Sequence, residues 1–335
     1  MRRRQVLAAV PALLAGCTGS DDETPSPTES TPETTPTPTT APPTTEPPTE
    51  TPPPYDRIPA DPASLTAEEV EARLADRDCT ELVEVPAICP GDDRLAVSVD
   101  PSVADLADGV VEFTVENRAD EVFETNHYGW LLQKFDGTRW RHIAPLRVPM
   151  PSHTIAPGDS HTHRIEPVPS KVARTGLAYT AQTDITIGGL GPGVYGFSTE
   201  GRFGLTSDEE VAPAAVFGFA GEAPPVEPTE HVNDVELDGS ELVVRSDAPR
   251  EERGEVLITL SDDEPDDRLL PEHVRQLAGL RNTIPFAATD GVERIRYVGS
   301  DQDESIVDRY LEHLNPGGVD LYGFREYVFE VTAEG

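Results

Sequence analysis

Histidine and cysteine carry most of the reactive chemistry in this 335-residue chain, with eight and three copies respectively. Five histidines, His127, His142, His153, His161 and His163, fall between residues 92 and 222. His161 and His163 stand two apart in the alternating run Ser160–Glu166, so a strand would set both on one face. With His153 or Asp159 they could bind zinc or copper, which favour imidazole nitrogen. The competing reading is a polar strand face beside the turn Pro157-Gly158-Asp159. Two acidic runs, Asp262–Asp267 and Asp301-Gln302-Asp303-Glu304-Ser305, offer carboxylates of the kind calcium takes. The second has Ile306 where a calcium loop needs glycine, and reads better as acidic residues at a helix start, favoured by the helix dipole. Tyr128, Trp130 and Trp140 could stack on sugars, but in a sandwich such residues more often fill the core. No G-x-S-x-G, H-E-x-x-H, G-x-x-x-x-G-K or C-x-x-C motif occurs. Catalysis therefore has no residue to rest on, and no cofactor is expected.

The elements that would position these side chains follow from periodicity. Thr66-Ala67-Glu68-Glu69 fits a capping box with Leu65 and Val70 as its hydrophobic staple, which predicts a helix over Thr66–Asp76. From Arg94 to Glu222 short runs alternate: Leu95–Val99, Val111–Val115, Tyr128–Phe135, a hairpin through Asp136-Gly137 into Thr138–Ile143, Ser160–Glu166, Leu190–Phe197 and Ala214–Ala220. Seven or so strands at this spacing argue for an antiparallel all-β sandwich. Glu222–Pro228 is a proline-rich link. Beyond it come a hairpin at Asp238-Gly239, a strand Glu255–Ser261, a helix Leu270–Leu280, a strand Val292–Gly299, a helix Glu304–Leu314 and a closing strand Tyr322–Thr332. That order predicts a small α+β unit. The expected organisation is 1–17, 18–54, 55–91, the sandwich 92–222, the link 223–229 and the α+β domain 230–335.

Charge narrows the class of partner. Asp and Glu number 62 against 26 Lys and Arg, and the formal net charge is −36. A nucleic-acid binder needs a basic face to release counterions, so no nucleic-acid partner is expected. Residues 18–54 hold 12 Pro, 13 Thr and no large apolar side chain, and read as an extended, disordered stalk. Only Lys134 and Lys171 are lysines, beside 24 Arg. That balance resembles proteins of halophilic archaea, where salt screens carboxylate repulsion.

Three further resemblances follow from particular residues. Arg3-Arg4-Gln5-Val6-Leu7, ahead of an apolar run ending at Leu14, resembles a twin-arginine export signal, with Arg3 and Arg4 as its pair. Leu14-Ala15-Gly16-Cys17 looks like a lipobox, which implies lipidation of Cys17. In an exported chain the remaining pair, Cys79 and Cys89, is expected to form a disulfide. Gly109–Gly158 with Leu190–Phe197 resembles a prokaryotic immunoglobulin-like domain of surface lipoproteins. The resemblance rests on Val115–Asp120, Tyr128–Phe135, Asp136–Trp140, Pro157-Gly158-Asp159 and Leu190–Tyr195. It implies a tyrosine-corner position for Tyr195. Together these readings imply a lipid anchor to the outer face of the cell membrane and an envelope protein or glycan as partner. The role expected is binding or structural. A solute-binding lipoprotein and an envelope hydrolase are the alternatives.

Overall fold

Alternating apolar and polar residues build strands spread from Ser64 to Glu334 in the computed structural model, which describes residues 55–58, 63–146, 148–168, 183–204, 209–248 and 253–334. Arg3, Arg4, Cys17 and the Pro/Thr-rich stretch lie outside the described residues.

Strand β1 (Ser64–Leu65) leads into helix α1 (Ala67–Leu74). The predicted capping box is present: the Glu69 N–H donates to Thr66 Oγ1, and the Thr66 N–H donates to Glu69 Oε2 at 2.8 Å. The helix ends two residues before the expected Asp76. There follow β2 (Ala87–Ile88), β3 (Leu95–Asp100), β4 (Val103–Asp105), β5 (Val111–Asn117), β6 (Phe123–Phe135), β7 (Trp140–Ala144), β8 (His153–Ile155), β9 (Ser160–Val168), β10 (Asp184–Gly188), β11 (Gly193–Phe203) and β12 (Ala212–Glu222). One sheet runs β1-β12-β11-β6-β7, with β2 and β4 beside β12 and β8 beside β6. The other runs β10-β9-β5-β3. Their apolar faces meet where Phe113 of β5 packs on Phe197 of β11, ring centroids 4.8 Å apart. Burying these aromatic faces removes apolar area from water, the main favourable term in folding. Trp130 stacks on Phe197 and is buried, so it belongs to the core rather than to a sugar-binding surface. Two glycines let α1 and the disulfide loop lie flat on the sheet. A Cβ at Gly218 would overlap Val70 of α1, and one at Gly196 would overlap Leu82.

The chain beyond Glu222 builds a seven-stranded mixed sheet. Its strands are β13 (Val232–Asp238), β14 (Glu241–Ser246), β15 (Arg253–Ser261), β16 (Asp267–Arg268), β17 (Arg294–Ser300), β18 (Tyr322–Phe324) and β19 (Tyr327–Glu334). They are ordered β13-β14-β17-β15-β19-β18-β16. Three helices accompany it: α2 (Pro271–Gln276), α3 (Ala278–Arg281) and α4 (Asp301–Leu314).

Two expectations change here. The single helix over Leu270–Leu280 is broken at Leu277, which is extended at φ −106°, ψ 109°. The break buries Leu277 while the Arg275 and Gln276 side chains donate to the carbonyls of Gly189 and Gly188. An unbroken helix would turn some of these groups away from their partners. The single strand over Tyr322–Thr332 is instead the hairpin β18–β19, turning at Arg325, whose φ is +54°. The acidic residues from Asp301 do open α4, capped by Ser300 Oγ accepting from the Asp303 N–H.

Candidate functional site

Two polar constellations stand out, one at an edge of the facing sheets and one where those sheets meet the C-terminal sheet. The first is made of histidines. His127 lies on β6, and β8 beside it places His153 opposite Thr125. From the other sheet, β9 places His161 opposite Val115 and His163 opposite Phe113. Period-two alternation turns both β9 histidines inward. His127 stacks between His153 and His161, with centroid distances of 4.4 and 3.6 Å. His163 meets His161 edge-on at 4.6 Å and packs on Phe197. Its Nε2–H donates to the His127 carbonyl at 2.8 Å, which fixes the tautomer and leaves Nδ1 as the lone-pair nitrogen. One ring nitrogen on each histidine is buried without a hydrogen-bond partner: His127 Nε2, His153 Nδ1, His161 Nε2 and His163 Nδ1. Burial and the neighbouring imidazoles push the His127 pKa down to about 4. Burial, opposed by the bond to His127, takes His163 down to about 3. His127 and His163 are therefore neutral at pH 7.

The sequence brought forward His153, His161 and His163, and the structure does gather them. The member it missed is His127, which occupies the centre of the stack. Its signal was weak, since it lies 26 residues from its nearest candidate partner and only strand register joins them.

The second constellation joins the facing sheets to the C-terminal sheet. Asp267 of β16, the last residue of the acidic run Asp262–Asp267, turns inward. Arg141 of β7 donates to it through Nη1 and Nη2 at 2.6 and 2.8 Å, and Arg139 also reaches it. Burial raises the Asp267 pKa, but hydrogen bonding and attraction from Arg141 outweigh it and hold the group below its ordinary value. Glu272 of α2 is 1% exposed. Lys134 Nζ donates to it at 2.6 Å and to the Pro192 carbonyl at 3.0 Å, while Arg275 lies 3.7 Å away. Burial again pushes the carboxyl up, and the two cations bring it below its usual range. His273 accepts from the Leu270 N–H at Nδ1 and donates from Nε2 to the His142 carbonyl. Tyr310 of α4 donates to the His142 and Ile143 carbonyls. Just beyond this junction the Tyr195 hydroxyl donates to the Gly191 carbonyl at 2.6 Å. Most of the charged groups here pair with one another, while Glu272 Oε2, Arg275 Nε, Gln276 Oε1 and His142 Nε2 are buried without a hydrogen-bond partner, and the ion pairs tie the two sheet systems together.

The third expected site is the Cys79–Cys89 disulfide, which is formed. Among the described residues, Asp78, Cys79 and Cys89 are the group that brings three potential ligand atoms within 4.8 Å of one another. Both thiols are consumed by the disulfide, so that group offers a metal no thiolate. No protein-family profile matches the chain, and no curated protein sequence does either.

Proposed function

We propose that this protein is a lipid-anchored cell-surface protein of a halophilic archaeon. In this reading residues 1–17 direct twin-arginine export and lipidation at Cys17, and residues 18–54 form a stalk. The folded part is an immunoglobulin-like sandwich followed by an α+β domain, with a binding or structural role toward an envelope protein or glycan. The bond from Tyr195 to the Gly191 carbonyl supports the immunoglobulin-like reading, because a tyrosine corner makes such a bond to backbone a few residues upstream. The Cys79–Cys89 disulfide supports export, since disulfides persist in oxidising compartments.

The observation that favours a binding or structural role over a solute-binding or hydrolytic one is the filled junction. Glu272, His273, Arg141 and Arg275 are each no more than 5% exposed there. Such packing suits a rigid two-part module that is carried as one body. A solute-capturing cleft or a hydrolytic site between the parts would require those groups to face an opening.

Mass spectrometry of the mature protein from native membranes tests the anchor. A first residue Cys17 bearing a dialkyl lipid is the expected result, and an unmodified Cys17 or retained residues 1–16 would sink it. Crosslinking on whole cells at native salt tests the role, with an envelope protein or glycan recovered on the sandwich as the expected outcome.

A further inference from the structure

We propose that the stack of His127, His153 and His161 is an acid-sensitive latch, which holds edge strand β8 against β6 near neutral pH and releases it when the imidazoles take up protons. The three rings come from β6, β8 and β9 and so bridge both sheets. His127 lies flat between the other two, with interplanar angles of 12° to His153 and 10° to His161. Neutral rings pack this way through dispersion. Charged rings only 3.6 Å apart repel, and a buried imidazolium is costly unless an anion faces it. Among the described residues these histidines do not bring three ligand atoms within 4.8 Å of one another, so the rings are packed on each other rather than set around an ion.

No carboxylate is placed to meet such a charge. The inner positions nearest the stack are Phe113 and Val115 on β5, Thr125 on β6, Ile155 on β8, His163 on β9 and Phe197 on β11. Of these only His163 titrates, and its Nε2 is committed to the His127 carbonyl. Tyr128 meets the His153 ring edge-on at 5.2 Å. Alternation turns the charged neighbours to the outer faces: Glu124 pairs with Arg202 of β11, Glu116 of β5 pairs with Arg118, and Arg164 of β9 stands opposite Glu112 of β5. Asp159 and Glu200 are exposed. Burial, then His161 and His153, hold His127 at about 4, and burial, then His153, lowers His161. An imidazole freed into water titrates near about 6.5. The closed edge is therefore fully favoured above that pH and loses its advantage as pH falls toward 4. Strand β8 is the part that gives. It has three residues and pairs with β6 alone among the described residues, whereas β9 is flanked by β5 and β10. Asn117 Nδ2 holds the Ile155 carbonyl at 2.8 Å, so the His153 end swings about that point. Opening breaks the bonds from Asn126 Nδ2 to the Pro149 carbonyl and from Ser152 Oγ to Glu124 Oε1.

The experiment is hydrogen–deuterium exchange of the folded, full-length mature protein at native salt, read by mass spectrometry. Rates for peptides covering residues 148–155 are corrected for the intrinsic effect of pH on amide exchange. From His127 alone, those amides should exchange about thirtyfold faster at about pH 5 than at about pH 8. His127→Phe keeps a flat ring in the stack and takes up no proton, so the rise should shrink to less than about threefold. Peptides of β17 report the rest of the fold, and their pH profile should be the same in parent and variant. If His127→Phe fails to fold by circular dichroism, His161→Gln carries the comparison, because that position is only partly buried. A corrected rate at residues 148–155 that does not change with pH in the parent would overturn the proposal. So would an equal rise in parent and folded variant. Neither result touches the surface-anchor reading, which is tested by the N-terminal mass alone.

Discussion

Replacing Glu272 by Gln removes one negative charge from a site that is 1% exposed and keeps the side chain's shape. Lys134 and Arg275 then remain beside it with no anion between them. Breaking a buried pair from one side costs about 3–5 kcal/mol, because the surviving charge stays desolvated and uncompensated. We expect Glu272→Gln to lose about 3 kcal/mol. Glu116, paired with Arg118 at 2.7 Å on the surface with 42% of its side chain exposed, is the internal reference. Exposed pairs contribute about 0–1 kcal/mol, so Glu116→Gln should be nearly silent. The assay is urea unfolding at fixed high salt, with stability taken from midpoint and slope. Added salt should not rescue Glu272→Gln, since screening acts weakly on buried charges. The double variant Lys134→Met/Glu272→Gln should recover part of the loss by removing one stranded cation. Equal losses for Glu272→Gln and Glu116→Gln would refute the junction as an energetic tie.

Three other outcomes follow from the same geometry. His142 and His273 are buried and held near pKa 3 and 4 by desolvation first and neighbouring positive charge second. Both are neutral in the fold, and the unfolded chain takes up protons below about pH 6.5. Their stabilisation is full above that pH and is lost as pH falls toward 4, by about 3 kcal/mol between pH 6.5 and 5 for the two together. Urea midpoints at a series of pH values check this, and an unchanged midpoint across that window contradicts it. Gly218→Ala should destabilise by about 1–3 kcal/mol, since its Cβ would overlap Val70 and lift α1 from the sheet; thermal unfolding reads the loss. Tyr195→Phe should lose about 1 kcal/mol with the bond to Gly191 and leave the spectroscopic signature of the fold unchanged.

Local rules made much of this structure legible. The capping box at Thr66 is satisfied within four residues, and so is the Ser300 cap of α4. Alternation located β3, β5 and β9, because a strand with one buried face writes that face into every second residue. The pairing of Cys79 with Cys89 followed from a leftover even number and a short separation. Boundaries were less visible. Strand β6 begins at Phe123, five residues before the apolar run suggested, because its first half pairs with β8 and β11 through polar as well as apolar positions.

What the sequence determined by itself is therefore local and compositional: the acidic surface, most of the strands, the helix caps, and a pair of histidines on one strand face. Tertiary structure alone decided which distant residues meet. Asp267 became the anion for Arg141 across 126 positions, and Lys134 met Glu272 across 138. His127 entered the centre of a stack drawn from three strands of two sheets. Residue type and spacing encode the face on which a side chain stands, whereas the partner it finds there depends on strand order and sheet packing. Those are settled by the burial of apolar area over the whole chain, and no short window of sequence contains them.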